Sequence, residues 1–162
     1  MNLDRDQNVD RGKYMIQSRL TPLGDGIVEP MLALARCSKQ QRIIVAGSNS
    51  AHLMFELHRH GYLRVVTTKH SGLPRGQSDV ALIDWRGHSI KALETTLDWL
   101  VHFLTPGGVL VIWIDSQDRA GNRKLRSVLE NHELLVEAGT IRENGSAISA
   151  RRREVSPISK VA

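Results

Sequence analysis

The sequence predicts a three-layer α/β domain on a mostly parallel sheet, closed by an antiparallel C-terminal hairpin. Three observations predict it. First, residues 41–68 run from a β-branched segment through a small-residue turn and an amphipathic segment into a second β-branched segment. Strand, helix and strand in that order require two parallel strands. Second, apolar runs at 79–85 and 109–114 flank a long segment of helical periodicity, which reads as a further crossover in the same sheet. Third, residues 134–142 and 146–152 are strand-like and meet around Asn144-Gly145, a hairpin signal.

Composition is consistent with this architecture. At 162 residues, one domain with a sizeable core is expected. With only two Phe and two Tyr, that core must be built mainly of Leu, Ile, Val and Ala. The net charge of +5 modestly favours anionic partners, although much of the excess lies in one terminal cluster. Cys37 is the single cysteine, which excludes a disulfide framework and a cysteine metal site. It reads as a buried helical residue. No apolar run reaches membrane-spanning length, and MNLDRDQNVDRGK is no signal peptide. A cytoplasmic location is the expectation. The chain divides into an N-terminal extension at 1–25, a folded domain at 26–152 and a basic flexible tail at 153–162.

Taken in order, residues 1–13 are polar, 14–23 carry scattered apolar residues suited to dock on the core, and Gly24-Asp25-Gly26 is a turn. Residues 27–37 read as a helix with Pro30 in its first turn. The first strand covers 42–46 and stops at Gly47, followed by Ser48, Asn49 and Ser50. Asn tolerates left-handed backbone, so the turn stays tight. A helix opening behind such a turn offers unpaired N–H groups, favours negative charge and suggests a nucleotide-binding framework.

From Ala51 apolar residues fall at 51, 53, 54 and 57. His52, Glu56 and His60 share one face, which could hold a metal but reads as a solvated polar face opposite Leu53, Met54 and Leu57. The second strand covers 63–68. Lys69 to Ser78, KHSGLPRGQS, is loop and is too short for another helix, strand and helix. The third strand, 79–85, carries Asp84 at its C-terminal end, where open α/β sheets bind ligands. Asp84 is thus the best candidate for a functional carboxylate, or else a turn residue before Arg86-Gly87.

Residues 90–104 are the clearest helix, with Ile90, Leu93, Leu97, Leu100, Val101 and Leu104 on one stripe. Trp99 and Phe103 extend that stripe. Pro106-Gly107-Gly108 is expected to stop it, and 109–114 is a strand covered on both faces. Asp115 and Ser116 suit a helix cap. The helix at 118–131 turns Leu125, Val128 and Leu129 inward and Arg119, Arg123, Lys124 and Arg126 outward. Arg151-Arg152-Arg153 opens a small basic footprint for an anion or nucleic acid.

Four segments together resemble the class I S-adenosylmethionine-dependent methyltransferases. IIVAGSNSAHL is similar to the glycine-rich first motif, and DVALIDW to the strand motif that ends in an acidic residue. LTPGGVLVIWID looks like the L-x-P-G-G turn and following strand, and the pair around Asn144-Gly145 like the family's closing strands. The resemblance covers about residues 41–152. It implies a Rossmann-like fold with sheet order 2-1-3-4-6-5, shortened between strands two and three. It further implies S-adenosylmethionine as cofactor, held by Gly47, Ser48, Asn49, Ser50, Thr67, Thr68 and Trp85, with Asp84 as the catalytic residue and no metal.

Three departures qualify that implication. Val45 stands where the family places an acidic residue before the first glycine. The second strand ends Val66-Thr67-Thr68-Lys69, without the ribose-binding acid. A helix, strand and helix are missing after it. No N/D-P-P-Y tetrapeptide follows the third strand. The sequence therefore reads as a methyltransferase-like protein with weakened or lost cofactor binding, acting on an unknown substrate. One alternative is a non-catalytic Rossmann-like scaffold that binds a protein or nucleic acid. The other is an NAD(P)-binding protein, with Lys69 facing a ribose phosphate.

Overall fold

A computed structural model of the chain describes residues 26–68 and 72–154. They form α1 (Val28–Ala35), β1 (Ile43–Gly47), α2 (Ser50–Arg59), β2 (Val65–Thr67) and β3 (Ser78–Asp84). These are followed by α3 (Ile90–Leu100), a 3₁₀ turn (Val101–Phe103), β4 (Leu104–Ile114), α4 (Arg119–Asn131), β5 (Leu134–Arg142) and β6 (Gly145–Arg152). The extension at 1–25, Lys69 to Ser71 and the end of the tail at 155–162 lie outside the described residues.

The strands form one sheet in the order β2-β1-β3-β4-β6-β5, the order the sequence predicts. β1 pairs parallel with β2 and β3, and β3 with β4. β6 enters antiparallel between β4 and β5. Successive side chains of a strand point to opposite faces, and here both faces are buried. Ile44, Ile83 and Ile112 pack against Leu93 and Leu97 of α3 and Leu125 and Leu129 of α4. Ile43, Val45, Leu82 and Trp113 pack against Met31 of α1 and Leu53 and Leu57 of α2. Covered faces explain why β1, β3 and β4 read as continuous apolar runs. Between β2 and β3 the described residues contain neither helix nor strand. Leu73 reaches from that connection into the core cluster that also receives Val66.

Five local expectations change. The helix predicted for 90–104 ends at Leu100, passes through the 3₁₀ turn, and gives way to β4 at Leu104. Pro106-Gly107-Gly108 lies inside that strand. Gly107 takes φ +78 and the β3–β4 register shifts between Ser78 and Val80, so the irregularity is absorbed as a bulge. Asp118, not Ser116, caps α4: its Oδ1 accepts the Gly121 N–H at 2.7 Å, while Asp115 accepts the Gly87 N–H at 2.7 Å. Cys37 lies past the end of α1, which closes at the left-handed Arg36 (φ 49). Burial, with the Asp79 charge behind it, pushes the Cys37 thiol up to about 11, so it stays protonated. The second strand is only Val65–Thr67, and Leu63 is 75 % exposed.

Glu56 is the fifth correction. It is buried beside Leu53 and Leu57 rather than on a solvated face opposite them. Residues 53, 56, 57 and 60 form one helical row, so Glu56 lies on the inward side. Its carboxylate meets Arg59 Nη1 at 3.4 Å. Among the described residues no group of three His, Cys, Asp or Glu could hold a metal.

Two outcomes follow from this packing. Gly47 has φ +106, and a Cβ there would lie 2.0 Å from the carbonyl oxygen of Asp84. Gly47→Ala is expected to cost about 3 kcal/mol or more through strain and backbone displacement, measured by urea unfolding. His132 ties α4 to α3: Nε2 lies 2.8 Å from Asp98 Oδ1 and Nδ1 2.7 Å from the Val128 carbonyl oxygen. Burial opposes its charge, but the Val128 carbonyl and the Asp98 and Glu94 carboxylates outweigh it and raise the pKa above 6.5. A raised folded pKa stabilises fully below the unfolded value and loses its effect as pH rises through the folded value. The thermal midpoint deficit of His132→Gln should therefore be largest below pH 6.5 and shrink above it; a deficit that grows with pH contradicts this.

Candidate functional site

The carboxyl ends of β2, β1, β3 and β4 form one edge, and the glycine turn crosses it between β1 and α2. Gly47 stands opposite Asp84 in the β1–β3 register. The absence of a side chain there lets the turn press directly on the end of β3. Asn49 is the N-cap of α2 without a side-chain cap bond. Its side chain instead faces the Asp84 carboxylate and helps to lower its pKa. Ser48 is exposed at the crest and Ser50 is buried at the start of the helix. Thr67, opposite Val45 in the register, is buried, and Thr68 is half-buried. The predicted turn residues, Asp84 and the two threonines thus share one edge, with the turn between them.

Asp84 is 1 % exposed. It is held by Arg86 through two parallel bonds, Nε to Oδ1 at 2.9 Å and Nη2 to Oδ2 at 2.7 Å. The backbone N–H of Arg86 adds a third contact to Oδ1 at 3.3 Å. Bidentate guanidinium–carboxylate pairs are the strong kind. Burial by itself raises the Asp84 pKa, but the bonds and charge of Arg86, with Asn49, bring it below its ordinary value. Asp84 is therefore an ionised, saturated carboxylate.

Trp85 lies in the core under α3, with its Nε1 donating to the Ser89 carbonyl at 2.8 Å and its ring 4.8 Å from that of His88. It is not part of the turn's lining. A space of about 10 Å³ beside Asn49 is bounded by Ile27, Val28, His52, Leu53, Glu56 and Arg86.

Sequence reasoning missed Arg86, which it treated only as part of a turn. The signal was present: an acid and an arginine two positions apart at a strand end put both side chains on one side of the chain. It also missed that the N-terminus of α1 walls the turn. That contact joins residues distant in sequence and leaves no local pattern.

No protein-family model matches the chain, and no curated protein sequence matches it. Solved structures do. A 1,6-didemethyltoxoflavin-N1-methyltransferase from Burkholderia thailandensis, solved with 1,6-didemethyltoxoflavin and S-adenosylhomocysteine, superposes with a TM-score of 0.58 at 14% identity, over 93% of this chain and 90% of its own. The [4+2]-cyclase SpnF gives 0.58 at 10% identity over 81% of each chain. A Haloferax volcanii putative methyltransferase, in complex with the Trm112 methyltransferase activator, gives 0.59 at 9% identity, over 79% and 88%. Sheet order, closing hairpin and these superpositions agree: the chain has the Rossmann-like fold of the class I S-adenosylmethionine-dependent methyltransferases.

Proposed function

We propose that this chain is a methyltransferase-fold scaffold in which S-adenosylmethionine binding is weakened or lost, and that it acts by binding another macromolecule. The observation that carries this reading is the end of β3, where Asp84 is buried and both its oxygens are bound by Arg86. The described residues do not fit the cofactor in other respects. Val45 and Thr67 supply no carboxylate for the amino acid or ribose hydroxyls, and each lost charge-assisted bond removes about 1.5–3 kcal/mol. Trp85 has its indole N–H bonded and a ring face against His88.

The similar structures support a separation of fold from methyl transfer. One of them is a [4+2]-cyclase, and another is bound to an activator protein. One architecture thus hosts different roles. For a dinucleotide, β2 likewise ends without the acid that a ribose would need.

Titration calorimetry with S-adenosylmethionine, S-adenosylhomocysteine and NADPH in parallel tests this. Dissociation constants of about 100 µM or weaker are expected for all three. A value near ~1 µM for either sulfur compound restores the enzyme reading, and one for NADPH the dinucleotide reading.

The Asp84–Arg86 pair generates its own outcome. A depressed folded pKa contributes stability above the unfolded value, here 3.8, that is lost as pH falls through the folded value. Asp84→Asn should cost on the order of 2 kcal/mol at neutral pH by removing the charged half of the bidentate pair. The cost should fade in acid below pH 3.8. Denaturant curves across that range check it. A pH-independent cost would mean that the charge of Asp84 does not matter.

A further inference from the structure

An opening lies away from the glycine turn. A groove of about 870 Å³ runs between α4 and the last two strands. Its floor is apolar, formed by Val136 and Ile141 of β5 and Ile148 of β6, with the bare backbone of Gly139 between them. Its wall is the flank of α4 that carries Arg123 and Arg126. Arg119 lies one turn before Arg123 on the same flank, so the three arginines stand at i, i+4 and i+7. All three are exposed. Among the described residues none of them has an ion-pair partner, and the first turn of α4 contains no acid. A row of uncompensated guanidiniums beside an apolar floor is complementary to an acidic, amphipathic ligand.

β5 adds a second, independent feature. It is the terminal strand of the sheet and is nine residues long. An edge strand presents unpaired N–H and C=O groups to any extended chain. Edges are commonly blunted by bulges and charges, and the first part of β5 has both. The register with β6 shifts between Val136 and Ala138, and Glu137 is bound by Arg151 at 2.6 Å. Past the bulge, Ala138, Gly139, Thr140 and Ile141 carry no charge, and Ile141 is 86 % exposed.

We propose that the groove and the outer edge of β5 form a docking site for an extended segment of a partner protein that carries both apolar and acidic residues on one face, that is, at every second position. The segment adds to β5 as a further strand through main-chain bonds. On the face toward α4, its apolar side chains lie over Val136, Ile141 and Ile148, and its acids face Arg119, Arg123 and Arg126. The groove lining has no aromatic side chain, which disfavours single-stranded nucleic acid, since that class binds largely by base stacking. A second copy is disfavoured by charge: an antiparallel β5–β5 contact about a two-fold axis sets the same arginine flank against itself. The inference rests on the scaffold reading and names its partner class.

The test is fluorescence anisotropy with labelled peptides of the length of β5, nine residues, one with Val and Glu in turn at every second position and Thr between them, one with Val and Lys in those places, beside a labelled oligothymidylate. The Glu/Val peptide is expected to bind and the other two not. Affinity should fall at least about tenfold for Arg123→Glu/Arg126→Glu and for Ile141→Glu. The replaced side chains are exposed, so thermal midpoints should stay at the wild-type value. Absence of Glu/Val binding, binding unchanged in both variants, or tighter binding of the oligonucleotide overturns the proposal. A dimer in sedimentation that Ile141→Glu dissolves assigns the edge to a second copy and overturns it as well. Micromolar S-adenosylmethionine binding would refute the scaffold reading while leaving the peptide result intact, so the two fail separately.

Discussion

The close approach of the β1–α2 turn to the end of β3 constrains everything at the upper edge of the sheet. Two backbones meet there with no side chain between them. A Cβ on Gly47 would sit 2.0 Å from the Asp84 carbonyl oxygen, so the parallel register of β1 and β3 requires glycine at this residue. Once the turn is that close, Asp84 is buried beneath it, and a buried carboxylate needs partners. Arg86 and the Asn49 side chain supply them. Steric closeness thus leads to burial, burial to ion pairing, and ion pairing to a filled edge.

The same geometry explains why a carboxylate at this sheet edge need not be reactive. A general base must be within reach of the proton it takes and free to accept it. Asp84 occupies the expected strand end, but both its oxygens are engaged by a guanidinium from two residues along the chain. Its lowered pKa has the same origin and marks a well-solvated anion inside the protein rather than a poised base. Position along a strand supplies the opportunity for chemistry; the neighbouring charges decide whether it is taken.

Much of the sheet was legible because covered parallel strands leave a strong pattern. Ile43 to Ala46 and Val109 to Ile114 are buried on both faces, and such runs have few other readings. Strand order followed from right-handed crossovers and the Asn144-Gly145 hairpin. Boundaries were harder. Leu104 looks like the end of a helical stripe, yet it begins β4 because Ser78 offers it a pairing partner far away in sequence. Ser116 and Asp118 are both good caps, and only the path of the chain away from β4 selects Asp118. Glu56 read as solvated because a carboxylate is usually outside. The helix row that it shares with Leu53 and Leu57 decided otherwise. At the site, the turn and Asp84 were visible locally, whereas the closure by α1 arises from a tertiary contact that no short segment encodes.

The two ends of the sheet differ in a way that bears on where interaction surface remains. At β1 and β3, polar groups are mutually satisfied: Asp84 by Arg86 and Asn49, and Gly87 N–H by Asp115. At β5 the outer backbone edge is open, Ile141 is exposed, and Arg119, Arg123 and Arg126 of the neighbouring α4 have no ion-pair partner among the described residues. Burying an apolar floor beside unpaired cations is favourable only when the incoming chain brings both apolar surface and negative charge. The terminal strands make the same contrast. β2 and β5 both leave an outer edge, but β2 is three residues long and β5 nine. Of the two, β5 alone offers a run of main-chain groups long enough to pair with a full added strand.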